Sequence, residues 1–599
     1  MKLLEAFIEK NTTRRGFIGR AVSLIALTAL APILACRDKK GVTVAQPPSG
    51  RAAKAPQVTV TGDPSARTLL KNGLIVDGSG GKSYIGDLLI NGGIIETVTA
   101  RELRFGGRTI DCSGLVIAPG FIDMHSHMDW VLPLRGHESL KTPFTAQGVT
   151  SFVTGNCGFG VAGYRPGGAF KNFIKTRMSG LVGMTEFDWE SMDEYFKFLR
   201  RRGISHNIIN LAGHGMTRTS MRGFDPSPLR PEEMTELLSL LETAMEQGAR
   251  GVSLGLQYEP GVFAGMDELR AVARLVKKHD KILTVHLKAY SSLSGTYPLV
   301  PYGKDHNIIA LHEMLNLARE TGVRLQVSHL IFVGAATWNT CEEALDRIDR
   351  AIRDGVDVKF DTYAYHCGTS IINVFFPGWF LGKVPGIYKD RKALLRLELE
   401  LRLIKFLLGF GYDDIQITNA GHPELDRYNG MFLTDIARSR KMDQFDNFID
   451  IAQKSGGKAR VLNHRYSSLD NVRDLMKHPA SLFMTDATVA AEGVQNPGAF
   501  GNFPRFLQYS RDYRLLSVED AVRKMTGASA ERFQVTDRGL LKKGYAADIT
   551  LFDWKKVKDN NTTTLTDRAP DGIVAVFING KQVKRDGRVD AVLNAGMVV

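Results

Sequence analysis

A chain of 599 residues with a hydrophobic fraction of 43% can bury a large core and still supply a second, smaller domain. Its formal charge of +13 is spread along the chain, and no long basic run is interleaved with aromatics, so no nucleic-acid partner is expected. Five cysteines are too few for a disulfide scaffold.

Residues 1–36 read as an export signal. Thr13-Arg14-Arg15-Gly16-Phe17-Ile18 resembles a twin-arginine motif, and the uncharged stretch Ala21 to Ala35 is short for a membrane span but suits a signal core. It ends Ile33-Leu34-Ala35-Cys36, similar to a bacterial lipobox; the rival is ordinary cleavage after Ala29-Leu30-Ala31. The expected location is periplasmic or membrane-anchored, with membrane contact only through a lipid on Cys36. Residues 37–65 are polar and contain Pro47-Pro48-Ser49-Gly50, which reads as a tether.

From Arg67 the chain turns strand-rich. Leu69 to Val76, Gly86 to Ile90 and Ile94 to Val98 are short β-prone runs, and the same texture returns at Ala547 to Phe552 and Val574 to Gly580. A small β-sandwich built from both chain ends is expected, over 66–118 and 537–599. Between them, over 119–536, strands alternate with helical segments such as Pro231 to Gln247 and Met266 to His279. The strand candidates are Val116–Met124, Val149–Gly155, Asn207–Ala212, Gly251–Leu254, Ile282–His286, Leu325–His329, Val356–Asp361 and Leu482–Thr485. Eight such units predict an α/β fold, a (β/α)8 TIM barrel with its chemistry at the C-terminal ends of the strands. The long interval before the eighth strand predicts an insertion at about 380–410. A last helix is expected from Ser517, with Asp520 in a capping pair.

The first strand, read as one buried run from Leu115 to Met124, ends in His125-Ser126-His127. Residues two apart on a strand share a side, so two imidazoles can meet at one point. A lone His-x-His is often only a pair of packed histidines. Here the ends of later strands add Cys157, His286, His329 and Asp486. Neutral imidazole and thiolate are good ligands for Zn²⁺ and related ions. A metal ion lowers the pKa of bound water, and a carboxylate beside that water can move its proton to a leaving amine. Asp486 is the candidate for that general acid/base role.

These residues sit in motifs that resemble the amidohydrolase superfamily and, within it, the N-acyl-D-amino-acid deacylases (D-aminoacylases). The matching runs are Pro119 to His127, Gly148-Val149-Thr150 with Gly155-Asn156-Cys157-Gly158, Gly213-His214-Gly215, Gly255 to Gly261, Asp361 to Tyr365, and Gly539-Leu540 through Ala547-Asp548-Ile549. The resemblance covers about Thr68 to Val583 and implies a barrel with a β-sandwich drawn from both ends. It implies one or two zinc ions, the tighter held by Cys157, His286 and His329. His125 and His127 would form a second site, with Cys157 a candidate shared ligand. Cys157 stands where related enzymes use a carboxylated lysine, and Ala249–Glu259 contains no lysine.

His214 and Arg218, Lys288, and Tyr363 are the expected substrate contacts, Tyr363 as a donor to a tetrahedral oxyanion. In the deacylases an arginine after a His-Pro pair and a lysine two residues beyond the sixth-strand histidine are thought to hold the substrate carboxylate. This chain reads Asn496-Pro497-Gly498 and His329-Leu330-Ile331 there. The expected activity is therefore hydrolysis of a linear amide C–N bond by metal-bound hydroxide, on a small molecule whose part near Ile331 is neutral or bulky. The alternatives are hydrolysis of a cyclic amide or imide, as in hydantoinase or dihydroorotase relatives, and a non-catalytic metal-binding surface lipoprotein.

Overall fold

The computed structural model describes residues 58–59, 67–175, 188–298, 303–490, 493–590 and 593–599. The twin-arginine-like motif, the apolar signal core, Cys36 and most of the expected tether lie outside them. No described helix is long and apolar enough to cross a membrane.

Eight parallel strands form the centre: β1 (Phe121–Asp123), β2 (Val149–Thr154), β3 (Asn207–Asn210, resuming at Ala212–Gly213), β4 (Gly251–Gly255), β5 (Ile282–His286), β6 (Arg324–Val327), β7 (Val358–Thr362) and β8 (Ser481–Phe483). Each pairs in parallel with the next through β7, and β8 pairs with β7. Past its paired residues β8 returns to β1: Met124 N donates to Phe483 O at 3.4 Å and Asp486 N to His125 O at 3.0 Å. This is the expected barrel order. All six residues of β2 are buried, as a parallel strand covered on both faces requires. Helices connect the strands and are capped as their sequences dictate. In Met192–Arg202, Ser191 accepts from Glu194 N in a capping box, with acids in the first turn and three arginines in the last. Ser517 caps Val518–Met525 by accepting from Asp520 N, as expected.

The run Leu115 to Met124 is two strands, not one. Val116–Pro119 belongs to the end domain and Phe121–Asp123 to the barrel, with Gly120 between them. Gly120 N donates to Asp548 O at 2.8 Å, and a Cβ on Gly120 would lie 2.3 Å from the Thr150 side chain. Both pieces are buried, so hydrophobicity alone cannot mark the change of partner.

The end domain is a continuous nine-stranded sheet. Its two halves join where Ile549–Phe552 pairs antiparallel with Val116–Pro119. The sheet curls on itself, with Ile95 N donating to Tyr545 O and Ala547 N to Gly93 O. Leu88, Ile90 and Ile95 from one chain end thereby share a core with Ile549, Leu551 and Phe577 from the other. The expected boundaries need two corrections. Val58–Thr59, placed in the tether, pairs with Leu103–Arg104. The last residues leave the sheet for the barrel, where Val599 N donates to Ile208 O at 3.0 Å.

The insertion is larger than 380–410. It runs from Gly368 to Asn463, with an antiparallel sheet of Gly368–Ile371, Ile415–Asn419 and Arg460–Asn463. It has its own core, including Phe376, Phe380, Ile417, Phe448 and Val461. A cavity of about 350 Å³ among Phe375, Phe410, Tyr412, Phe445 and Phe448 lies inside it, and no residue of the histidine cluster lines it.

Candidate metal centre

The strand ends converge. Cys157 Sγ lies 3.2 Å from His125 Nε2 and 3.5 Å from His329 Nε2. Asp486 Oδ1 lies 3.4 Å from His125 Nε2 and 3.5 Å from His127 Nε2. Two sets of ligand atoms each gather within 4.8 Å: His125, Cys157 and His329, and His125, His127 and Asp486. His125, not Cys157, is therefore common to both. His286 stands outside these sets, yet its ring centroid is 4.4 Å from that of His329.

Three of these residues hold left-handed backbone: Cys157 at φ 56°, His329 at φ 32° and Asp486 at φ 46°. Non-glycine residues rarely adopt that conformation, and such strain clusters at functional sites. Buried carboxylates hold the loops in place. Asp361 accepts from His329 N at 2.7 Å and from Gln326 Nε2 at 2.9 Å, and sits 3.4 Å from His125 Nδ1. Asp123 accepts from Thr485 N at 2.9 Å and Thr485 Oγ1 at 2.6 Å, tying the first strand to the eighth beside Asp486. Burial pushes the Asp123 carboxyl up to about 7 against those hydrogen bonds.

The electrostatics fit a metal ion. Burial works against a charged Cys157, but His125 and the other histidines around it hold the thiol well below its ordinary value. Burial likewise opposes charge on Asp486, and His125, His127 and His329 outweigh it, keeping the carboxyl below its usual range. Burial and the charge of His329 push His286 down to about 4, which leaves its imidazole neutral, as a ligand must be. His286 Nε2 is held by Gln257 Oε1 at 2.9 Å, while its buried Nδ1 has no hydrogen-bond partner among the described residues. A thiolate, imidazoles and a carboxylate are a donor set for a zinc-type ion. Against burial, Cys157 and Asp486 hold His125, His127 and His329 above the ordinary imidazole value, so an ion bound there would displace their protons. Gln257 is the kind of outer partner that orients a ligating histidine.

Aromatic rings wall the cluster. His127 packs on Trp130 at 5.2 Å, Phe159 stacks on Tyr258 at 4.9 Å, and Tyr290 meets His286 at 4.9 Å and His329 at 5.0 Å. Sequence reading missed this wall and Gln257, although Gln257 and Tyr258 lie in a run singled out above. Tyr363 is buried within electrostatic range of Asp486. Its burial and the nearby Asp486 push the phenol well above its ordinary value, so it stays a proton donor.

His214 and Arg218 are not at the site. Both are fully buried in the helix His214–Arg222. His214 Nε2 lies 2.8 Å and Arg218 Nε 3.4 Å from Glu268 Oε1, and the arginine's other nitrogens donate to Asp225 O and Ser227 O. Their motif reflects packing, with Gly213 and Gly215 set against the Gly158 backbone. Lys288 is half-buried, with its ammonium 4.9 Å from the centre of the Tyr297 ring.

Glu268→Ala should therefore act on stability. It strands a buried guanidinium, which typically costs about 3–5 kcal/mol, read as a fall in denaturation midpoint. In the wild type, burial raises the Glu268 carboxyl, but His214 and Arg218 hold it below its ordinary 4.5. As pH falls below 4.5 the unfolded chain takes up the proton first, so the carboxylate's contribution is present above that pH and fades below it. The difference between variant and wild type should shrink accordingly in acid denaturation.

A family model described as amidohydrolase family matches residues 436–584. The chain is 28% identical over 516 residues to D-aminoacylase of Alcaligenes xylosoxydans xylosoxydans, covering 86% of this chain and 94% of that relative. Among solved structures, N-acyl-D-glutamate deacylase from Bordetella bronchiseptica, complexed with zinc and a phosphonate inhibitor, superposes with a TM-score of 0.70 at 27% identity, covering 89% of this chain and 99% of that one. A D-aminoacylase structure concerned with its binuclear metal centre gives 0.69 at 26%, with the same coverage. With the barrel, the curled end sheet and the histidine–cysteine cluster already described, these matches show a chain that carries an amidohydrolase-family match over residues 436–584 and is similar along most of its length to the N-acyl-D-amino-acid deacylases.

Proposed function

We propose that this chain is a metal-dependent hydrolase that cleaves the C–N bond of a linear amide. The observation that carries the reading is the convergence of Cys157, the strand-end histidines and Asp486 on one place at the barrel's strand ends. Cys157, His286 and His329 would hold the tighter ion and His125 with His127 a second, His125 lying close enough to face both. A zinc-type ion bound there would acidify water and polarise a carbonyl. Asp486, ionised and hydrogen-bonded to His127, accepts the proton of the attacking water and passes it to the departing amine nitrogen. Tyr363 donates to the oxygen that gains charge. The aromatic wall limits water at the reacting atoms. The cyclic-amide alternative uses the same residues, and an assay on both substrate types separates them. Asp486 argues against a non-catalytic role, since storing a metal needs no proton carrier.

The substrate end near the sixth strand is read as neutral or apolar. Ile331 is buried there. Asn496 is occupied locally, its Oδ1 accepting from Gly498 N at 2.9 Å. Arg218 is committed elsewhere, which leaves Lys288 as the one nearby cation of the expected set. A substrate carboxylate against Ile331 would lack the bidentate contact an arginine gives and lose roughly 1–3 kcal/mol. N-acetyl-D-amino acids should be poor substrates beside their carboxamides or a bulkier aryl or acyl amide, by about tenfold or more in kcat/KM. A clear preference for the free acid would restore ordinary D-aminoacylase specificity.

A further inference from the structure

The insertion helix Arg391–Leu408 has two apolar faces. One is used, with Leu397 and Leu408 buried against the insertion core. The other is not. Leu395, Leu399, Leu403 and Phe406, spaced four, four and three residues apart, form one stripe and are 59%, 58%, 51% and 55% exposed. Single exposed leucines are ordinary, but a continuous stripe on a helix already packed on its opposite side is an interaction surface.

The flanks indicate the partner. The helix carries Arg391, Lys392, Arg396, Arg402 and Lys405 against Glu398 and Glu400. Both acids are paired, Glu398 with Arg402 and Glu400 with Arg396, and Lys405 pairs with Asp413 beyond the helix, so the cations without an ion pair among the described residues are Arg391 and Lys392. Arg391 and Lys392 are exposed in the first turn, where the helix dipole disfavours cations, although Asp390 caps that end. Such a placement is relieved when a negative surface faces it. We propose that this face docks on an anionic lipid surface, leucines and phenylalanine in the acyl boundary and the arginine and lysine stems reaching to the headgroups. A second copy fits less well. Two such helices would set cation against cation on a chain of net charge +13, and four side chains by themselves fall short of the roughly 800 Å² per partner of a standard interface. The sequence confines expected membrane contact to Cys36; this face adds a contact on the folded body. Its C-terminal end packs against the stretch leaving β6, where a Cβ on Gly334 would lie 2.6 Å from Leu408 O. The docked helix thus adjoins the segment that follows His329.

The test places an environment-sensitive fluorophore on Leu399→Cys in a full chain carrying Cys36→Ser. Emission should shift to the blue on phosphatidylglycerol-containing vesicles and not on pure phosphatidylcholine. Adding Leu395→Glu and Leu403→Glu should lower partitioning at least tenfold, with helix content and soluble-amide turnover unchanged. An unshifted probe on vesicles that nonetheless sediment the chain would overturn the proposal, since binding would then lie elsewhere. So would a lipid-free dimer that the glutamates dissociate, which would assign the face to a second copy.

Discussion

Asp486→Asn should keep the ion facing Cys157 yet lose roughly 10²–10⁴-fold in kcat. The carboxyl is held below its ordinary range by His125, His127 and His329 against the effect of burial, so it is ionised near neutrality, the form a general base needs. An amide of the same shape has no basic oxygen of that kind and cannot carry a proton from water to amine. Asp486 Oδ1 also lies in the set with His125 and His127, so any weakening of metal should fall on that second position. Metal content by mass spectrometry and steady-state kinetics separate the two effects. Near-normal kcat in the variant would remove Asp486 from the proton-transfer role.

Cys157→Ala should lose most of the bound metal and nearly all turnover. The thiolate is the one soft, anionic ligand of its set. Its removal leaves His125 and His329 without the sulfur they now approach at 3.2 and 3.5 Å. Loss of an outer partner already costs a metal site about 10–100-fold in affinity, and a direct ligand should exceed that. A Cys157→Ala protein with full metal content and full activity would refute the assignment.

The convergence of these side chains was legible because each lies at the end of a short apolar run with the length of a barrel strand: His125 and His127 past β1, His286 at the end of β5, His329 past β6 and Asp486 past β8. What escaped the sequence was how buried polar groups are spent. His214 and Arg218 look like ligands of something, and they are, but of Glu268, which lies 54 and 50 residues on in sequence and on another helix. The change of partner at Gly120 left no mark because both flanking strands are apolar. The insertion was underestimated because Ile415–Asn419 and Arg460–Asn463 are as apolar as barrel strands, while only the helix Arg391–Leu408, rich in leucine and charge, stood apart. The aromatic wall brings together residues following different strands, and no local pattern announces it.

The most direct measurement is amine release from a panel of linear amides by the metal-replete protein, repeated after chelation and after zinc is returned. The account predicts release that disappears with the metal, returns with it, and falls by orders of magnitude in Asp486→Asn. Full metal occupancy with no amine released from any linear amide, or release that chelation leaves untouched, would contradict it.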